Sequence, residues 1–448
     1  MELIDRVERK KKEHEEVYAD LIDTPLNING IFMPIVDALR NDYVGFEAKR
    51  KKYFRPNESH TYIMSAYYKQ ELTVEMMVRS LHQFAAEMHD RRVRFICDDW
   101  VDYRNHALKY RVRATEDALY VTTAEPCTGL VPGDKIIDVQ HSKPSKIRYI
   151  MRNIGFNSNE PERELWGGYL RMARNVLVEH ADGTQERLKM ELYPDEPEYF
   201  PVAFRMLDDT TAYLQMERMD DAAMTALLAK HEAEIAASKK LIIDLRRNVG
   251  GDEGAGFELF KYMVSEPTTI EALYADEGSY VLYSKDNCER RYNSLETFKA
   301  GLTDPELIAI VEAEMAVWRA NYGKGLVFEE PAPFDYIPVE PAEQAPEKVI
   351  LLTDTFCEKE GEQFAAMAQR CGSKVTTIGR PTMGTLDYYD VINLELNEHM
   401  TFSYPIRMSK AAYEGRGIDE KGLAVDEYVA WTPEEIEHDV LLEKALAL

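Results

Sequence analysis

The side chains of this sequence best suited to chemistry lie in four short stretches far apart in the chain. Thr353 to Ala365 reads T-D-T-F-C-E-K-E-G-E-Q-F-A and carries a thiol, Cys357, two residues before an amine, Lys359. His89 and Arg92 stand in M-H-D-R-R-V-R-F, Gly250 and Gly251 close L-I-I-D-L-R-R-N-V-G-G, and Thr382, Gly384 and Thr385 lie in G-R-P-T-M-G-T-L-D-Y. In an extended turn Cys357 and Lys359 project to the same side, and on a helix His89 and Arg92 share a face. A thiol and an imidazole make a nucleophile and a base wherever the fold brings them together and the sulfur is held as thiolate, and Cys357 and His89 are the pair considered for that chemistry. The competing expectation for Cys357, as for Cys371, is a small buried apolar residue. No serine lies between Asp354 and Arg370, so that stretch offers no serine hydroxyl as nucleophile. Lys359, between Glu358 and Glu360, can face solvent or a pocket equally well, and an arginine at a helix end, such as Arg92, ordinarily bridges to a carboxylate. The amides of Gly250 and Gly251, with the helix N-terminus after Lys359, suit a developing or standing negative charge.

These stretches need a scaffold, and the pattern predicts one. Val74, Met77, Leu81, Phe84, Ala85 and Met88 recur at helical spacing behind a capping candidate, Thr73, followed by a strand-like Val93 to Cys97. From about Tyr110 to Tyr193 the texture becomes short β-runs punctuated by P-G-D at Pro132 and D-G at Asp182, a small β-rich domain. Beyond Pro201, a strand pair around Ala212–Met216 and a helix over Asp221–Ala237 precede L-I-I-D-L; V-I-L-L-T-D and K-V-T-T-I-G follow later, with a helix over Glu360–Arg370 between them. Short continuous aliphatic strands that alternate with helices read as buried parallel strands. Residues of about 267–347, polar, aromatic and proline-rich, read as an insertion or lid.

At 448 residues and 45% hydrophobic content the chain is long enough for two or three domains with full cores. Its 54 Lys+Arg against 80 Asp+Glu give a formal net charge of −26, which argues against nucleic acid or anionic membrane as partner. The N-terminus is dense in charge with no apolar signal region, and no apolar run is long enough to span a bilayer, so a cytoplasmic location is expected. Five scattered cysteines without a C-x-x-C pair suggest neither a disulfide framework nor a zinc site. No cofactor or metal is expected.

Asp354, Phe356, Gly361, Glu362, Phe364 and Ala365 fall on the pattern D-x-F-x-A-S-A-G-E-x-F-A, and this stretch resembles the nucleophile turn of the tail-specific, C-terminal processing serine proteases. The resemblance recurs in the family's order at L-R-N-D-Y-V-G-F-E (Leu39 to Glu47), G-L-V-P-G-D-K-I-I-D-V (Gly129 to Val139), the Leu241–Gly251 strand and glycine turn, Gly379 to Tyr388, and Gly417 to Val429. It implies an α/β fold: a crotonase-type (ClpP/crotonase-like) core over 199–448 with the insertion, a PDZ-like domain over 106–198, and an N-terminal helical segment over 1–105 packed on the core. It also implies that Lys359 stands where the family has its serine. Arg92 stands where the tricorn-like branch has a histidine, and Thr385 where the Ser-Lys branch has its lysine. Arg111-Val112-Arg113-Ala114, near the place of a PDZ carboxylate loop, has no glycine.

A nucleophile and a base lost together remove the covalent route. The leading expectation is thus a pseudoprotease that binds a peptide or protein C-terminus at a degenerate site formed by Arg92, Lys359, Gly250, Gly251, Thr382 and Gly384. The alternatives are an active peptidase of the same family, with Cys357 and His89 in the roles above, and a purely structural or interaction protein.

Overall fold

The computed structural model describes residues 19–97, 106–151, 160–191, 193–194, 200–331 and 337–448. Helix α1 (Pro25–Asn41) starts behind Thr24, whose hydroxyl accepts the Asn27 N–H, and α2 (Val74–Ala86) behind Thr73, which accepts the Met76 N–H at 3.1 Å. Such a cap satisfies one of the orphan amides of a helix start, a contribution of about 1 kcal/mol. The apolar stripe foreseen on α2 is buried from Val74 to Ala85, with Met88 beyond its end. It packs with Ile28, Phe32, Ile35 and Leu39 of α1 against β1 (Arg94–Cys97).

The next region folds as an antiparallel sheet of β2 (Tyr110–Ala114), β3 (Leu119–Ala124), β4 (Lys135–Val139), β5 (Asn175–Glu179) and β6 (Gln185–Lys189), in that spatial order. Its turns use the chemistry read from the sequence. Gly133 sits at φ +97°, with the Asp134 carboxylate accepting the Val131 N–H at 2.9 Å, and Gly183 sits at φ +82° beside Asp182, which accepts from Thr184. The sheet has its own core of Leu119, Val121, Ile136, Val176, Val178 and Trp166. It docks on the rest of the chain through arginines: Arg113 pairs with Asp354, and Arg163 donates to the carbonyls of Pro381 (2.8 Å) and Thr382 (2.9 Å).

The remainder runs β7 (Val202–Met206), β8 (Thr211–Met216), α3 (Asp221–Ala237), β9 (Lys240–Asp244), β10 (Ser279–Tyr283), α4 (Lys285–Ala300), α5 (Pro305–Ala320), β11 (Gly325–Glu329), β12 (Lys348–Thr353), α6 (Glu360–Arg370), β13 (Val375–Gly379), β14 (Tyr388–Glu395), β15 (Met400–Ser409), β16 (Glu427–Tyr428) and α7 (Val440–Ala447). A six-stranded sheet takes the order β16-β13-β12-β9-β8-β7, parallel throughout except for β7. The three aliphatic runs seen in the sequence are its neighbouring central strands, and Leu241, Ile242, Ile243, Val349, Ile350, Leu351 and Leu352 are all fully buried. Burying each such side chain contributes roughly 1.5–3 kcal/mol. α3 and α6 cover one face of this sheet and α7 the other. Because β9, β12 and β13 are parallel and in register, their carboxyl ends lie side by side. The chain segments that follow them meet at one edge of the sheet, the usual place for a site in an open parallel sheet.

The 267–347 stretch is more than a lid over this core. β10 and β11 pair with each other, and β10 adds to β15, which also pairs with β14 and β1. Ser279–Tyr283 alternates buried and half-buried residues, the pattern of a strand with one face on a core. Among the described residues no helix is long and apolar enough to cross a membrane.

Candidate functional site

Strand β12 ends at Thr353, and the chain turns through Asp354–Cys357 before α6 begins at Glu360. Lys359 occupies the last turn position with φ +55° and ψ −123°. A non-glycine residue pays for that backbone conformation, which persists only where its surroundings impose it. Three contacts do so here. The Lys359 N–H donates to Thr385 Oγ1 at 2.8 Å, its carbonyl accepts the Gln363 N–H at 3.0 Å, and its Cβ lies against Gly250, where any side chain would overlap it. The same sharp strand-to-helix device presents the nucleophile in many hydrolases.

Behind this turn Asp354 is buried between two guanidinium groups, Arg113 and Arg380, the latter at 3.0 Å. Burial alone would raise its carboxyl, but the two arginines outweigh burial and hold it at about 2. Arg380 also forks onto Glu435, at 2.8 and 3.0 Å. One helical turn into α6, the fully buried Glu362 carboxylate accepts four hydrogen bonds: from Thr382 Oγ1 (2.5 Å), the Gly384 N–H (2.5 Å), the Thr385 N–H (2.7 Å) and Thr385 Oγ1 (2.5 Å). Burial pushes this carboxyl above its ordinary range, and the donors pull it back. Thr382 and Gly384 are therefore held by the protein's own carboxylate.

Arg92 reaches the site from the other side. Its backbone N–H binds Asp90 Oδ1 at 2.9 Å, its Nη2 donates to the Thr385 carbonyl at 3.4 Å, and its buried Nε has no hydrogen-bond partner among the described residues. Arg92 and Lys359 thus both contact Thr385, the first at its carbonyl and the second at its hydroxyl. They do not share one cavity. A narrow cleft is lined by Asp90, Arg91, Arg92, Thr385, Asp419 and Glu420, with His89 and Gly384 at its edge, whereas the Lys359 ammonium turns to Glu358 (3.1 Å) and the Val249 carbonyl (3.4 Å).

The glycine turn is also engaged. The Gly250 N–H, at φ +83°, donates to Asn248 Oδ1 at 2.9 Å, and the Gly251 N–H donates to the Glu360 carboxylate at 2.8 Å.

The structure does not bring Cys357 and His89 together. Cys357 faces inward and is fully buried in the core beneath β12 and α6, because the turn is not extended there. Burial, reinforced by the carboxylates of Glu362, Glu358 and Asp354, drives its thiol well above the usual range. His89 and Arg92 share no helical face either: α2 ends at Ala86, and His89 sits at φ +50°. Its ring stacks on Tyr53 at 3.9 Å and its carbonyl accepts Lys49 Nζ at 2.6 Å. A thiol so placed should not react: iodoacetamide on the native protein is expected to leave Cys357 unmodified while labelling the exposed Cys127. Peptide mapping by mass spectrometry reads this, and fast native labelling of Cys357 would contradict its placement.

A further cluster around the cleft has no signature in the sequence. Lys49, almost wholly buried, pairs with Asp419 at 2.5 Å, Tyr43 donates to Asp90 at 2.7 Å, and Tyr53 donates to Glu420 at 2.7 Å. Burial, opposed by Lys49 and supported by Asp90, pushes the Asp419 carboxyl up to about 7. The cluster draws on three stretches, 43–53, 90 and 419–420; Tyr43, Asp90, Asp419 and Glu420 lie in motifs quoted for other reasons, and nothing in the sequence links them to one another. Among the described residues no three His, Cys, Asp or Glu side chains are placed to hold a metal ion.

Known proteins agree with this architecture. The profile described as peptidase family S41 matches residues 210–429. No curated protein matches the chain. Among solved structures, mature CPAF complexed with lactacystin superposes with a TM-score of 0.61 at 11% identity, covering 94% of this chain and 97% of that one. Mature CPAF alone gives 0.60 at 12% identity, covering 93% and 96%. The photosystem II D1 C-terminal processing protease is matched at a TM-score of 0.42 and 14% identity, covering 90% and 93%. Residues 210–429, which carry the parallel sheet, the Asp354–Glu362 turn and the Thr382–Thr385 loop, match the model of peptidase family S41, the direction in which the sequence resemblance points.

Proposed function

We propose that this chain is a catalytically degenerate member of its family, with a crotonase-like core and a PDZ-like inserted domain, that binds a peptide or protein C-terminus without cleaving it. The observation that carries the reading is Lys359 in the strained strand-to-helix position, φ +55° and ψ −123°, which the sequence resemblance aligns with the family's nucleophile. A lysine side chain there cannot attack as a serine alkoxide would, and the flanking positions hold a guanidinium, Arg92, and a hydroxyl, Thr385, where the resemblance has a histidine or a lysine. Thr385 spends its hydroxyl on Glu362 and the Lys359 amide. What the site retains is the Arg92 guanidinium, whose buried Nε has no hydrogen-bond partner among the described residues, and a guanidinium pairs with a carboxylate through two parallel hydrogen bonds. Five free cysteines, three of them buried, fit a reducing cytoplasm.

Two measurements test the reading. A fluorophosphonate probe should label no serine, and an unstructured protein substrate should remain intact; stoichiometric labelling would end the proposal. In calorimetric titrations, a peptide with a free C-terminus should bind more tightly than its amidated form. Arg92→Ala and Lys359→Ala should each weaken that binding by about 1.5–3 kcal/mol, the worth of a charge-assisted hydrogen bond. Equal affinity for both peptides would rule out recognition of the terminal carboxylate.

A further inference from the structure

We infer that Glu360 closes the glycine turn in cis, standing in for the carboxylate that the site is proposed to bind, and that a ligand enters only when Glu360 leaves. The inference rests on the carboxylate-binding reading above and adds its control.

Glu360 is the first residue of α6, and its carboxylate crosses to the turn after β9, where Oε2 accepts the Gly251 N–H at 2.8 Å. That amide is the one the turn can offer, since the Gly250 N–H is already committed to Asn248. Gly250 has no side chain in the space that Glu360 crosses: a Cβ built there would overlap Oε2. Two backbone features thus exist around this contact, a glycine at φ +83° and an N–H aimed at an anion.

The contact is also poised to break. Glu360 makes no ion pair among the described residues, and its carboxylate holds the site by one hydrogen bond at a partly exposed position. The neighbouring Lys359 ammonium is spent on Glu358 and the Val249 carbonyl. An incoming carboxylate offers the same acceptor to Gly251 and brings further peptide contacts. Released into solvent, Glu360 stays at the first turn of α6, where a carboxylate is favourable beside the helix N-terminus.

The test uses the full chain, with fluorescein-labelled penta-alanine, free-acid or amidated, as probe and fluorescence anisotropy as readout. Hydrogen–deuterium exchange of the segment containing Gly251 is followed in parallel without ligand. Glu360→Ala is expected to bind the free-acid peptide at least tenfold more tightly than the parent, to show no such gain for the amide, and to exchange faster around Gly251. Glu360→Gln, which keeps the shape and loses the charge, is expected to fall between the two and guards against misfolding. Affinity in Glu360→Ala equal to or below that of a binding-competent parent would overturn the latch and leave the binding reading standing. Unchanged exchange at Gly251 would do the same. Failure of the parent and both variants to bind either peptide would overturn the reading itself, and the inference with it.

Discussion

Glu362→Ala is expected to destabilise the protein by about 3–5 kcal/mol in urea unfolding. The carboxylate is fully buried and accepts four hydrogen bonds from Thr382, Gly384 and Thr385. A hydrogen bond to a charged group contributes about 1.5–3 kcal/mol, but four on one carboxylate do not add, and its own desolvation offsets part of the sum. The truncation costs more than the lost attractions, because two amides and two hydroxyls are left facing a void with nothing to accept from them. Glu362→Gln isolates the charge. It preserves volume but turns an NH2 toward donors, and about 2 kcal/mol of loss is expected. Both variants should loosen the Arg380–Thr385 loop, and with it the Thr385 hydroxyl that fixes the Lys359 amide. A loss below about 1 kcal/mol for Glu362→Ala would mean that the loop is held by something else.

That anchor marks the boundary of what the sequence makes legible. Thr73 as a cap, the α2 stripe and the three aliphatic strands are local patterns, each set by residues within one element, and the structure repeats them. Glu362 sits in a quoted motif, yet its role depends on a loop some twenty residues away that wraps it with donors. Glu360 depends on a glycine turn more than a hundred residues upstream. A Cys357–His89 pair requires an extended turn at Cys357 and a helix that continues through Arg92. The chain instead turns Cys357 into the core, where its burial among apolar side chains outweighs local backbone preference, and leaves the helix at Ala86. The 267–347 stretch looked like a lid because its strand partners, near Met400–Ser409, lie far along the chain. Pairing at such distances leaves no periodic trace.

Asp354→Asn should cost about 3–5 kcal/mol, and the cost should shrink in acid. Asp354 stands between Arg113 and Arg380, all three buried, and removing one member of a buried ion cluster leaves uncompensated charge. Arg380 keeps Glu435, so the exposed weakness is Arg113, whose other contacts are the Glu162 carbonyl at 3.3 Å and the Phe356 ring at 4.9 Å. Arg113→Met is therefore expected to cost less than Asp354→Asn, because Asp354 would still pair with Arg380. The pH dependence follows from the direction of the shift. Asp354 falls from 3.8 to about 2 in the folded protein, so its stabilisation is fully present above about pH 4 and is lost as pH falls through 2. Asp419, raised from 3.8 to about 7, acts oppositely: its contribution is present below about pH 4 and is lost as pH rises toward 7. Thermal unfolding of parent and Asp354→Asn between pH 2 and 8 separates the two. The gap between the curves should be constant from pH 5 upward and narrow below pH 4, while the decline of the parent between pH 4 and 7 persists in Asp354→Asn and flattens in Asp419→Asn. A gap that stays the same down to pH 2 would show that Asp354 is not held ionised by its arginines, and the docking of the β2–β6 sheet through Arg113 would then need another cause.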